Sequence, residues 1–250
     1  QWAIRCMHEA QMHDENCFIT LTYDDDHIPY DRSLDVTHFQ KFMKRLRKSI
    51  EPRKVRFFHC GEYGDELGRP HYHACLFGYD FADKQLWKIV RDNRLYVSDH
   101  LNDLWSAGFA TIGDVTFRSA AYVARYATKK RTGDAGRDHY LVVNQHGEIF
   151  ERAREYATMS RRPGIGQPWL DKYERDVYPR GYVVVNGRRV RPPKYYDEKY
   201  ELASVEAARK MKGLRVRKAK MFSDDQTPDR LAVRQKVQAI RLEQLKRTLK

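Results

Sequence analysis

Residues 17–23 read CFITLTY, an unbroken run of β-branched and aromatic side chains that predicts a buried strand, and Asp24, Asp25, Asp26 and Pro29 then break it into a loop. Asp35 can cap a helix running to about Ile50. In it Phe39, Phe42, Met43, Leu46 and Ile50 fall on one face, and Lys41, Lys44, Arg45, Arg47 and Lys48 on the other. The basic face reads as the solvated side of a helix packed on a sheet. Residues 55–60 (VRFFHC) and 69–77 (RPHYHACLF) predict two more strands, with Gly61, Gly64 and Gly68 in the turn between them. The pair forms a hairpin in the middle of an antiparallel sheet.

The rest of the chain alternates in the same way. Residues 1–13 predict a short helix, and 83–105 a mainly helical stretch with Leu86, Trp87, Val90 and Leu104 in the core. A strand over 110–117 and a helix over 119–130 follow. Hairpins are expected at 140–152 and 182–190, the second around Asn186-Gly187, a favoured two-residue turn. Between them SRRPGIGQPW, residues 160–169, reads as a loop whose backbone amides and arginines suit phosphate. Beyond residue 201 two helices are expected, broken near 223–228, with Thr227-Pro228 starting the second. Helices alternating with antiparallel strands give an α+β class: a central antiparallel sheet flanked by helices, with a basic helical C-terminal extension.

Charge changes the picture most. Lys and Arg number 47 against 34 Asp and Glu, a formal net charge of +13, which favours a partner made of phosphates. The last fifty residues alone hold fourteen Lys or Arg against six Asp or Glu. The four cysteines, Cys6, Cys17, Cys60 and Cys75, include no C-x-x-C pair, so no structural zinc site is read and free thiols in a reducing cytosol are expected. No apolar run is long enough for a transmembrane helix, and no signal peptide heads the chain. Because the first residue is Gln1, a preceding segment is expected.

Three features carry chemistry. In His71-Tyr72-His73 the two imidazoles sit two apart on a predicted strand and project to one face, as half of a divalent-metal site would. His-x-His alone is more often two ordinary histidines on a shared face. Glu62 lies nine residues earlier, across the hairpin, where its carboxylate can face the same ion; alone it would read as a solvated turn residue. Two histidines and a carboxylate leave coordination positions open for substrate oxygens. Tyr122 and Tyr126 stand four apart on a predicted helix, hence on one face, with Arg125 and Lys129 each three residues after a tyrosine. The bland reading is a buried aromatic stripe, but the small residues of AAYVARYATKK permit close approach of another surface.

Taken together, these motifs resemble a known family. PHYHACLFG resembles the histidine–hydrophobe–histidine motif of HUH endonucleases, and FITLTY their first motif. YVARYATKK resembles the double-tyrosine helix of replication initiators from isometric single-stranded DNA coliphages. MSRRPGIGQPWLDKYERDVYP and the later RPPKYYD resemble the gokushovirus-type branch of microviruses. The resemblance implies an HUH domain over residues 1–200 with family-specific hairpin insertions, and a basic helical extension over 201–250. It implies His71, His73 and Glu62 as ligands of Mn²⁺ or Mg²⁺, Tyr122 and Tyr126 as nucleophiles, and Lys129 as the lysine of the tyrosine motif. Arg125 stands where lysine is more usual, so the two tyrosines need not be equivalent.

The implied activity is rolling-circle initiation: metal-dependent nicking and joining of single-stranded DNA at a viral origin through a 5′-phosphotyrosine, in the cytoplasm of a bacterial host. Arg125, Arg161 and Arg162 are the expected contacts to the DNA backbone, and Trp169 the expected stacking residue. No P-loop motif is present, so a host helicase and the host replication machinery are the expected partners; no membrane and no small-molecule substrate are expected. Two rivals stay open: a plasmid- or relaxase-type HUH nuclease, and a non-catalytic basic nucleic-acid-binding protein in which the histidines and tyrosines are core.

Overall fold

A computed structural model describes residues 1–64, 68–90, 93–126, 140–143 and 147–244, with the side chains of Tyr126 and Glu243 outside that description. It divides into two compact units, Trp2–Trp169 and Leu170–Lys250 together with Gln1.

The first unit carries the sheet. Helix α1 (Trp2–Ala10) precedes β1 (Asn16–Tyr23), α2 (Val36–Ser49), β2 (Arg56–Tyr63) and β3 (Pro70–Phe77). Then come β4 (Gln85–Val90), β5 (Asn93–Val97), α3 (Asp99–Trp105), β6 (Gly108–Gly113) and α4 (Phe117–Tyr126). Strands β7 (Leu141–Val143) and β8 (Ile149–Glu151) pair with each other, and β9 (Tyr156–Met159) returns to the main sheet. That sheet has the order β4-β5-β6-β1-β3-β2-β9 and every pairing in it is antiparallel. The α+β class read from the sequence is therefore the observed one.

Alternation along the strands sets the layers. Ile19, Leu21, Tyr72, Ala74, Leu76, Ala110 and Ile112 point to one face and bury against Phe39, Phe42, Met43 and Leu46 of α2, with Leu101 and Trp105 of α3. Side chains of that size stabilise by about 1.5–3 kcal/mol each when buried, which is why the apolar stripe of α2 selects this face. Asp35 caps α2 as expected, its carboxylate accepting from Thr37 N at 2.8 Å. The opposite face receives α1 and α4. At the start of β6 Gly108 has φ +143°, and a Cβ there would stand 2.3 Å from Asp24 N, so only glycine lets β6 run this close to the end of β1.

Two expectations need correction. The stretch 83–105 is not mainly helical: it is the β4–β5 hairpin followed by the short α3. Nor are Leu86 and Trp87 core, being 55% and 47% exposed; Leu104 is buried. The run QLWKIV is short, aromatic and β-branched, and its one extra residue, a bulge between Leu86 and Lys88, disguises the alternation as a helical period. Strand β9, which follows the expected 140–152 hairpin, has no counterpart among the elements the sequence pattern predicts. Gly61, placed in the turn, instead lies within β2, packed under Tyr156 of β9, where a Cβ would meet the ring at 2.9 Å.

The second unit holds the remainder of α5 (Gln167–Val177), the hairpin β10 (Val183–Val185) and β11 (Arg188–Val190), α6 (Lys194–Ala203), α7 (Val205–Lys220), a 3-10 turn Ser223–Gln226 and α8 (Pro228–Glu243). Its fixed point is Asp197, whose carboxylate takes two bonds from Arg215, at 2.7 and 2.9 Å, and one from Tyr178 at 2.6 Å. Thr227 caps α8, as the Thr-Pro pair predicts.

Candidate metal centre

Strand register builds the site. Glu62 lies directly opposite His71 in the β2–β3 pair, and Cys60 opposite His73, so all four project to one face. Tyr72 projects to the other, into the core, where its hydroxyl donates to Asp35 O at 2.8 Å. Strand β1 adds Thr20, opposite His73 on its other side.

Glu62 Oε1 is 2.9 Å from His71 Nε2 and 2.7 Å from His73 Nε2, and one ligand atom from each residue falls within 4.8 Å of the others. Among the described residues this is the group of three that can hold a metal. Glu62 is 1% exposed and His73 6%. Neighbouring oxygens fix both rings. His71 Nδ1 is 3.0 Å from Arg69 O, and a carbonyl only accepts, so Nδ1 carries a proton. His73 Nδ1 is 2.9 Å from Thr20 Oγ1.

That proton on Nδ1 leaves the Nε2 of a neutral His71 with a lone pair aimed at a carboxylate oxygen. Two acceptors at this distance repel unless a proton or a cation lies between them. His73 Nε2, though close to Glu62 Oε1, does not make a hydrogen bond with it, and Glu62 Oε2 is buried with no hydrogen-bond partner. Buried polar atoms of this kind are normally satisfied. Unsatisfied imidazole and carboxylate atoms converging on one point fit a divalent cation.

The charges agree. Burial raises the Glu62 carboxyl, but the charge of His73 and the close ring nitrogens of both histidines outweigh it and hold the pKa down to about 2. Burial lowers His73, with Glu62 opposing, so near neutral pH the carboxylate is ionised and this imidazole is a free base. Those are the protonation states metal ligands need.

Helix α4 brings the tyrosine. Its start is fixed by a reciprocal pair: Ser119 N donates to Thr116 Oγ1 at 3.1 Å, and Thr116 N to Ser119 Oγ at 2.8 Å. The helix lies against β2 and β3, and Tyr122 donates its hydroxyl to Glu62 Oε1 at 2.9 Å while its ring meets His73 edge-on at 5.0 Å. Tyr122, His71, His73 and Glu62 are therefore one cluster. Tyr126 is the last residue of α4, one turn on; its side chain, and Lys129 altogether, lie outside the described residues. Arg125 sits in that last turn, partly buried.

The other expected DNA contacts lie apart from this cluster. Arg161 and Arg162 are exposed in the loop before α5. That loop is latched to α1: the buried Glu9 accepts from Gly166 N at 2.6 Å and pairs with Arg56, and Arg5 Nε donates to Ile165 O at 2.9 Å. Trp169 lies flat on His8, ring centres 3.6 Å apart, with its Nε1 donating to Gln11 Oε1 at 2.7 Å. Sequence reasoning missed Thr20, although the alternation of FITLTY places it on the metal face. It also missed the Tyr122–Glu62 bond, for which a separation of 60 residues leaves no local signal.

Residues 16–131 match the family model for the phage replication-associated protein ORF2. This segment belongs to that family. The replication-associated segment opens with β1 and runs past α4, so it contains Glu62, His71, His73 and Tyr122. Among curated proteins the chain is 37% identical over 208 residues to the replication-associated protein VP4 of Bdellovibrio phage phiMH2K, covering 80% of this chain and 62% of that one. It is 32% identical over 216 residues to the replication-associated protein ORF2 of Spiroplasma virus 4, covering 80% and 63%. It is 32% identical over 204 residues to the replication-associated protein ORF4 of Chlamydia phage 1, covering 78% and 48%. The chain thus spans under two thirds of the length of these relatives. No solved structure matches it. The likeness to microvirus replication proteins read from the sequence is borne out at the level of family.

Proposed function

We propose that the protein initiates rolling-circle replication as an HUH-type endonuclease, nicking and rejoining single-stranded DNA at a viral origin. The observation that carries this is the hydroxyl of Tyr122 bonded to the carboxylate that faces His71 and His73. Replication-associated relatives support the setting, and the net charge of +13 supports a nucleic-acid substrate.

On this reading His71, His73 and Glu62 hold Mn²⁺ or Mg²⁺, imidazole favouring Mn²⁺ and cellular abundance Mg²⁺. The bound ion draws charge from the scissile phosphate and so lowers the barrier to attack. Thr20 and the Arg69 carbonyl hold the imidazoles in the tautomer that presents Nε2. The oxygen of Tyr122 attacks phosphorus and gives up its proton to solvent. The bond from phosphorus to the 3′ oxygen breaks, that oxygen takes up a proton, and the 5′ phosphate stays on tyrosine. The phosphodiester's energy is kept, so rejoining needs no ATP. Tyr126, one helical turn along, is the second nucleophile: it cuts the regenerated origin, and the freed 3′-hydroxyl attacks the first phosphotyrosine to close a circle. Lys129 supplies positive charge where negative charge develops. Arg125, Arg161, Arg162 and Trp169 are proposed contacts to the strand. The host cytoplasm, its replication machinery and its helicase are the proposed setting. No described helix is long and apolar enough to cross a membrane.

The test is adduct formation. Protein mixed with labelled origin-bearing single-stranded DNA and Mn²⁺ should give a covalent 5′-linked species on a denaturing gel, lost with EDTA and in His71→Ala plus His73→Ala. Absence of any adduct across metals and origin sequences would sink the reading in favour of a non-catalytic binding protein.

A further inference from the structure

The face of the sheet that bears the metal centre does not end at β3. Thr22 lies opposite His71 on β3 and opposite Phe109 on β6, so Phe109, Thr22 and His71 form one row on one face. Two strand spacings separate Phe109 from His71, about 10 Å. Phe109 is 44% exposed, and its ring is met edge-on by Trp87, ring centres 5.0 Å apart, itself 47% exposed. Trp87 is the bulged residue of β4; the bulge frees it from the alternation of its neighbours and turns it toward Phe109. The ammonium of Lys88 stands 3.9 Å over the indole.

A solvated Trp–Phe pair is costly unless something covers it. The charge around it selects the occupant. Strands β4 and β5 contain Lys88 and Arg94 and no acidic residue. In the acidic loop after β1, Asp24 is paired with His27 at 2.7 Å and Asp25 with Arg69 at 2.6 Å. Flat apolar rings beside a cation suit unpaired bases, because every base offers a π-face and every nucleotide a phosphate. Bases stacked within a duplex present no free face to these rings.

We propose that Trp87 and Phe109 form a stacking platform for unpaired bases of single-stranded DNA, with Lys88 on the adjoining phosphate, a few nucleotides from the strand position held at the metal centre. The platform rests on the nuclease reading only for what happens at His71; the binding itself is independent of cleavage.

The test is fluorescence anisotropy with a labelled mixed-sequence single strand and the same sequence as a duplex, in EDTA so that no cutting occurs. Trp87→Ala plus Phe109→Ala should weaken single-strand binding about tenfold or more and leave duplex binding unchanged. Trp87→Phe should stay within about twofold of the parent, because a ring remains. In the parent, the emission lost on Trp87→Phe should be the part quenched by single strands, a readout that does not depend on the alanine variants folding. Unchanged single-strand affinity, or equal loss on single strand and duplex, overturns the platform. A change in self-association without a change in DNA affinity also overturns it and assigns the surface to a second copy of the chain. If the parent makes no covalent adduct but the alanine variants still lose single-strand binding, the nuclease reading fails and the platform stands.

Discussion

Thr20→Val is the sharpest probe of the metal centre, because it touches neither a ligand nor a nucleophile. Valine keeps the shape of threonine in β1 and removes only the hydroxyl 2.9 Å from His73 Nδ1. For His73 to offer its Nε2 lone pair, Nδ1 must carry the proton, and Thr20 Oγ1 is the acceptor that holds it there. Without that oxygen the ring is free to protonate at Nε2, and its Nδ1 has lost its partner in a pocket where His73 is 6% exposed. Loss of the group that orients a metal-binding histidine typically weakens metal affinity about 10–100-fold, or about 1.4–2.7 kcal/mol. Mn²⁺ titration calorimetry near neutral pH would read this, with His71→Ala plus His73→Ala as the variant that should show no binding. Unfolding in EDTA, followed by circular dichroism, separates the metal effect from fold stability, which should fall by about 1–3 kcal/mol if the orphaned nitrogen is not rehydrated. An affinity for Mn²⁺ within about twofold of the parent would refute the tautomer argument, and binding by the double-histidine variant would refute the site.

Other outcomes follow from the same contacts. Tyr122→Phe should abolish or strongly reduce the first adduct and lower stability by about 1.5–3 kcal/mol, because a hydrogen bond to a buried carboxylate is lost; Tyr126→Phe should leave the first cut and block circle closure, read with a tethered-origin substrate. Glu9 is buried, and although burial raises its carboxyl, bonds from His13, Gly166 and Arg56 bring it below the ordinary value. A depressed carboxyl contributes stability that is present above its unfolded pKa, about 4.3–4.5, and lost as pH falls through the folded value, so Glu9→Gln should cost about 3 kcal/mol near neutral pH and flatten the acid limb of a urea-melt series. Arg161→Ala plus Arg162→Ala should reduce the slope of log affinity for single-stranded DNA against log salt by about 0.7 for each phosphate contact removed, and an unchanged slope would take these arginines off the DNA path.

The metal centre was legible because every part of it obeys a short-range rule. Two residues apart on a strand means one face, and a hairpin returns its second strand to the level of its first; those two facts place Glu62, His71 and His73 together before any coordinates exist. Four apart on a helix placed Tyr122 and Tyr126 together for the same reason. What stayed hidden depends on which helix lies on which face, and no local pattern encodes that. The bond from Tyr122 to Glu62 needs α4 to lie over β2 and β3, and the stacking of Trp169 on His8 needs the loop before α5 to be latched to α1. The β4–β5 hairpin failed differently. Its apolar residues imitate a helical face because one residue is inserted, and the resulting bulge is what turns Trp87 out of the core. A residue assigned to the core by periodicity thus ends half exposed beside Phe109, on the face that carries His71. An exposed tryptophan gives the fold no burial energy, so its place there calls for a ligand, and a bulge is the local device that permits it. The place where the pattern misled is for that reason the place most worth mutating next.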